Sequence, residues 1–191
     1  MNHKLSVFFS QRLVRSGIIT KEHEELYTYG FELILSFIFS VFIVLTIGTL
    51  SNKVVETIIF LSLFVFLRQF TGGFHANTYS KCQICTVCFY ISVITMAKKL
   101  HPNVLAFSLL LIFGSLTIFL IGPIESANKP LSDTQKKINR MRGLVLYVFA
   151  CLLGIYIFDI MPDISSTIFY SLLLIIILMI IPFLERRIHN A

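Results

Sequence analysis

Long apolar runs recur along this chain, and they constrain its fold more than any other feature. A helix needs roughly 20 residues to cross a hydrocarbon core about 30 Å thick. Six runs come close, at about 29–48, 54–70, 83–100, 104–123, 143–161 and 164–184. The second is tight, because Glu56 and Arg68 bound it, and the third is bounded by Lys81 and by Lys98 and Lys99. Charged residues make up 14% of the 191 residues, too few for a soluble domain of this size. The expectation is an all-α integral membrane protein with six transmembrane helices. It would form one domain over 1–191, with an amphipathic segment at 1–26 and a bundle at 29–184.

In the N-terminal segment, Leu5, Phe8, Phe9 and Leu13 recur at helical spacing, while Ser10, Gln11, Arg12 and Arg15 fall largely elsewhere. That pattern predicts a helix lying on a membrane surface. The net charge of +6 is read first as topology, not as nucleic-acid binding. If the N-terminus is inside, thirteen of the sixteen Lys and Arg residues fall on the inner side. Lys53, Lys98 and Lys99 make up the outer set. Both termini and the loops near 72–80 and 124–142 are therefore expected to face the cytoplasm. Glu32 lies inside an apolar run and is expected to pair with a basic residue of another segment.

The loop "RQFTGGFHANTYSKC", from Arg68 to Cys82, concentrates the chemistry. His75 and Cys82 are seven residues apart, two turns of one helix. That spacing would separate them by roughly 10 Å, too far for a base and its nucleophile. The sequence breaks the helix at Thr71-Gly72-Gly73 and at Asn77-Thr78. Ser80, followed three residues later by Gln83, matches a capping box. A helix starting at Lys81 would then put Cys82 in its first turn. Unpaired N–H groups and the helix dipole favour an anion at such a position, and a thiolate is an anion. His75, on a loop that can fold back, could act as base and then acid in a Cys–His nucleophilic pair.

Other readings compete. Cys85, Cys88 and Cys151 fit small apolar residues. The spacing Cys82-x-x-Cys85-x-x-Cys88 resembles part of an iron–sulfur run, but no Cys-Pro follows, and steps of about 300° spread the three around a helix. No metal or other cofactor is expected. A peptide transporter with an incidental Cys82 is the alternative function, and Glu32 gives it weak support. Ser132 followed by Gln135 is a second capping box, which predicts a helix in the latter half of the 124–142 loop.

The motif from Arg68 to Cys82 resembles the signature of the AgrB family, membrane peptidases of Gram-positive quorum sensing. The matching residues are Arg68, Gly72, Gly73, His75 and Cys82. The stretch "GPIESANKPLS" at 122–132 is similar to the family's Pro-acid-Asn-Lys-Pro loop. The resemblance extends over essentially the whole chain. It implies a cysteine endopeptidase of the cell membrane that removes the C-terminal tail of an AgrD-type propeptide on the cytoplasmic side. It implies a thioester on the enzyme's cysteine, resolved by an internal nucleophile of the peptide into a thiolactone or lactone. His75 and Cys82 would be catalytic. Arg68 and Lys129 would contact the acidic tail, with Gly72, Gly73, Ser80 and Asn128 in supporting places. Gln69, Asn77 and Asn128 are candidates for a third polar group. The partners expected are the propeptide, the lipid bilayer and a second copy of the chain, without nucleic acid.

Overall fold

The computed structural model describes residues 2–73, 79–124 and 132–189. These residues form seven α-helices: α1 (Asn2–Arg15), α2 (Glu24–Leu50), α3 (Val54–Thr71), α4 (Tyr79–Lys99), α5 (Val104–Ile121), α6 (Asp133–Tyr156) and α7 (Pro162–His189). Five helical segments are long and apolar enough to cross a membrane: Lys21–Leu50, Val54–Thr71, Val104–Ile121, Asp133–Tyr156 and Pro162–Glu185. The helix expected from the third apolar run, α4, is present, with Lys81 at its start and Lys98 and Lys99 at its end, and is not among these five.

The core sits around α7, which packs against α3, α4, α5 and α6. Half of its apolar window is buried, against 17–33% in the other four. Its buried face carries Ile168, Leu172, Ile175, Ile176 and Met179, together with Ser165, Ser166, Thr167 and Ser171. Lipid tails are as apolar as leucine, so helices in a bilayer associate through close packing and interhelical hydrogen bonds. Both occur here. Gly48 of α2 packs on Thr57 of α3, and Gly114 of α5 on the Tyr147 hydroxyl of α6. That hydroxyl donates to the Leu110 carbonyl at 2.7 Å. Thr57 and Tyr90 share a buried hydroxyl contact of 2.7 Å between α3 and α4. Ser165 donates to the Gly154 carbonyl at 2.8 Å, joining α7 to α6.

With 27 residues, α2 is about 40 Å long, more than the hydrocarbon core requires. Its first turns hold α1. The face that α1 turns inward carries Ser6 and Ser10, both buried, and Ser10 meets Thr28 at 2.6 Å. Leu5 and Phe8 stay exposed. Glu32 has the partner expected of it, His3 of α1 at 2.5 Å. The capping box at Ser132 forms, with Ser132 Oγ accepting from Gln135 N–H and the Gln135 side chain accepting from Ser132 N–H. The helix α6 therefore begins well before the apolar run at 143–161.

At the start of α3, Lys53 donates to Glu56 at 2.7 Å and to Asp163 of α7 at 2.8 Å. The Asp163 carboxylate first, and that of Glu56 next, hold the Lys53 ammonium above its ordinary pKa of 10.5. The folded chain thus binds this proton more tightly than the unfolded chain does. The stabilisation is complete below pH 10.5 and is lost as pH rises through the folded value. In detergent, Lys53→Met should lower the melting temperature at pH 8 by about 1–3 °C, since pairs that water still reaches are weak. The loss should shrink as the wild type is taken above the ordinary lysine pKa. An equal difference at pH 8 and in strong alkali would refute this role.

Candidate active site

The opposite end of α3 carries the double glycine. Gly72 N–H donates to the Arg68 carbonyl at 3.0 Å, and the chain then leaves the helix with φ 70° and ψ −150° at Gly72 and φ 131° at Gly73. Residues with a Cβ rarely adopt such values. Space forbids one as well. A Cβ on Gly72 would run into the Ile124 carbonyl, and one on Gly73 would lie 3.0 Å from the Leu178 carbonyl of α7.

Ile124 belongs to the second motif, and the structure brings the two motifs together. Gly72 and Ile124 pair in a parallel bridge, and Ile124 N–H donates to the Thr71 carbonyl at 2.8 Å. The preceding Gly122–Pro123 peptide bond is cis. The Gly122 carbonyl accepts from Arg140 Nε of α6 at 2.8 Å. One residue of each motif, Gly72 and Ile124, thus meets the other at this bridge. His75, Asn77, Asn128 and Lys129 lie outside the described residues.

Cys82 is the fourth residue of α4 as described, and it is half-buried. Cys85 is half-buried, Cys88 exposed and Cys151 buried. Arg68 is half-buried one turn before Gly72, with its guanidinium over the Phe64 ring at 5.1 Å. An electrostatic interaction links it to Cys82 and Cys85, which places the three in one neighbourhood. Gln69 is exposed. The sulfur and the cation expected from the sequence therefore share one end of the bundle with the double glycine. Among the described residues no three His, Cys, Asp or Glu side chains converge as a metal site.

The capping role expected of Ser80 is corrected. Ser80 lies inside α4, not before it. Gln83, its supposed partner, reaches across to α2, where its Nε2 lies 3.2 Å from Ser36 Oγ and 3.4 Å from the Ser36 carbonyl. Ser36 is buried, and a hydrogen bond between helices is favoured where water does not compete. Arg140 was missed. Positive-inside counting accounts for its charge, so nothing in the sequence singled it out.

Fold and site together define a multi-pass helical membrane protein in which a Gly-Gly turn, a cysteine at a helix start and a half-buried arginine meet at one end of the bundle. Residues 6–183 match Accessory gene regulator B, and the chain belongs to that AgrB family. It is 25% identical over 169 residues to an AgrB-like protein of Clostridium perfringens strain SM101, covering 83% of this chain and 79% of the relative. It is 26% identical over 154 residues to an AgrB-like protein of Halalkalibacterium halodurans, covering 80% and 77%. Protein FsrB of Enterococcus faecalis strain OG1RF is 25% identical over 156 residues, 81% of this chain and 63% of that protein. No solved structure matches the chain. Family membership points to quorum-sensing propeptide processing, with an AgrD-type propeptide as partner.

Proposed function

We propose that this chain is a membrane cysteine endopeptidase that cuts the C-terminal tail from an AgrD-type propeptide and promotes cyclisation of the remainder. One observation supports the reading: Gly72 and Ile124, one from each motif, pair at the bundle end that also holds Arg68 and Cys82.

The reaction follows from these groups. Cys82 sulfur attacks the scissile carbonyl while His75 takes the thiol proton. The C–N bond breaks, and His75 returns the proton to the tail's new amine. The peptide is left as a thioester on Cys82. A thioester keeps much of the acyl energy, so an internal thiol or hydroxyl of the peptide can attack it without ATP. Cys82 departs and is reprotonated, and the ring closes. Arg68 and Lys129 attract the acidic tail. In this reading α4 also crosses the membrane, giving six spans, both termini and the site are cytoplasmic, and the exposed Leu5 and Phe8 of α1 rest in the bilayer surface. The chain acts as a single domain, as a homodimer.

The intermediate tests the proposal. A propeptide whose ring-forming nucleophile is replaced by alanine should still lose its tail. Its acyl group then has no internal acceptor and should stay on Cys82. A covalent adduct should appear on a non-reducing gel and disappear with hydroxylamine. The same adduct should be absent in Cys82→Ala. Full turnover of this propeptide with no adduct at any time would point to direct hydrolysis by water.

A further inference from the structure

We propose that Arg140 is a positioning residue. It holds the Gly122–Ile124 part of the second motif against the end of α3, where the double glycine of the first motif begins, and so supports cleavage without touching substrate. The consequence for catalysis rests on the function proposed above; the clasp itself does not.

The argument begins with two carbonyls. The last carbonyls of a helix have no intrahelical donor. Thr71 ends α3, and its carbonyl is satisfied by Ile124 N–H at 2.8 Å. Gly122 follows the end of α5 and is buried, so its carbonyl needs a partner inside the protein. Arg140 Nε supplies one, also at 2.8 Å. A charged donor on a buried carbonyl is among the stronger neutral-acceptor bonds. Arg140 is itself half-buried, unlike the exposed neighbours Lys137 and Arg142. Three residues further on, and thus on the same face of α6, Gly143 abuts α3. A Cβ there would lie 3.2 Å from Thr71 Cγ2 and 3.5 Å from Phe70 Cβ. One face of α6 therefore touches both sides of the bridge: Gly122 through Arg140, Thr71 through Gly143. Releasing Arg140 frees one side while leaving the helices in place.

Positive-inside topology alone would also put an arginine here, and three variants separate the two roles. Arg140→Met keeps neither charge nor donor, Arg140→Gln keeps a donor, and Arg140→Lys keeps both in a different geometry. Hydrogen–deuterium exchange is read on the full-length protein in detergent. In Arg140→Met the amides of Gly122 and Ile124 should exchange about tenfold faster, with α5 and α6 interiors unchanged. Arg140→Gln and Arg140→Lys should lie between Met and wild type. In parallel, with an AgrD-type propeptide that the wild type cuts, Arg140→Met should lower kcat about tenfold and change KM less than about threefold. Unchanged exchange in Arg140→Met overturns the proposal. So does identical behaviour of Gln and Met, which would mean that charge alone matters. Faster exchange with undiminished kcat overturns the positioning role. If the wild type cuts no such propeptide, the proposed function fails, and exchange still decides the clasp.

Discussion

Cys82→Ala should abolish propeptide cleavage, and His75→Ala should nearly do so. Each removes one half of a pair that acts as a unit, so losing either costs almost as much as losing both. Cys85→Ala, Cys88→Ala and Cys151→Ala should leave clear activity. Cys88 is exposed and has little packing to lose. Cys151 is fully buried beside Tyr147, so alanine there should cost about 1–2 kcal/mol of stability without touching the chemistry. Cys85 is the informative member. It lies in the same neighbourhood of Arg68 as Cys82 and sits nearly one turn further along α4. Cleavage assays on the four variants, at matched membrane levels, decide the matter. Loss of activity in Cys85→Ala and Cys88→Ala equal to that in Cys82→Ala would assign the cysteines to a shared ligand set instead.

Gly72→Ala should reduce cleavage more than tenfold while leaving helix content intact. Two effects combine. A Cβ at φ 70° and ψ −150° is strained, and it would also collide with the Ile124 carbonyl. Strain and one lost hydrogen bond together come to roughly 2–4 kcal/mol. The bridge should open to avoid that cost, since α3 and α5 are held by other contacts. The two motifs would then lose their meeting point. Gly30→Ala supplies the control. Gly30 lies in α2 with nothing within 4 Å of an added Cβ. Alanine there should be neutral or stabilise by up to about 1 kcal/mol. Cleavage and circular dichroism on both variants test this. Wild-type cleavage by Gly72→Ala would mean that the bridge has no part in the reaction.

Local rules read well from this sequence, and long-range ones read poorly. The box at Ser132 formed because its partners lie within one turn and face solvent, where nothing else competes for Gln135. The box at Ser80 carried the same local signal, but Gln83 had a buried alternative in Ser36 that only the packing of α4 on α2 creates. Thr71-Gly72-Gly73 was legible as a helix break. That its backbone pairs with Ile124 was not, because parallel pairing between distant segments leaves no periodic trace in either. Glu32 was legible as a paired acid because an unpaired carboxylate in an apolar run is costly; its partner His3 was not named. Arg140 carried a charge that topology had already explained, which hid its hydrogen bond to Gly122. The sixth apolar run was read as a span like the others, whereas α7 is the most enclosed of them.

The central place of α7 bears on biogenesis. Ribosomes deliver a chain in order, and α7 emerges after every helix it packs against. The earlier apolar helices can enter the bilayer singly, since insertion does not need their neighbours. Until Leu172, Ile175 and Met179 arrive, however, α3, α4, α5 and α6 lack the partner that they share. Pairs such as α5 with α6 and α2 with α4 can associate earlier, but the full bundle closes only once α7 has entered. In that interval the polar groups that α7 later meets, Lys53 and His101 among them, are what a membrane quality-control protease would find.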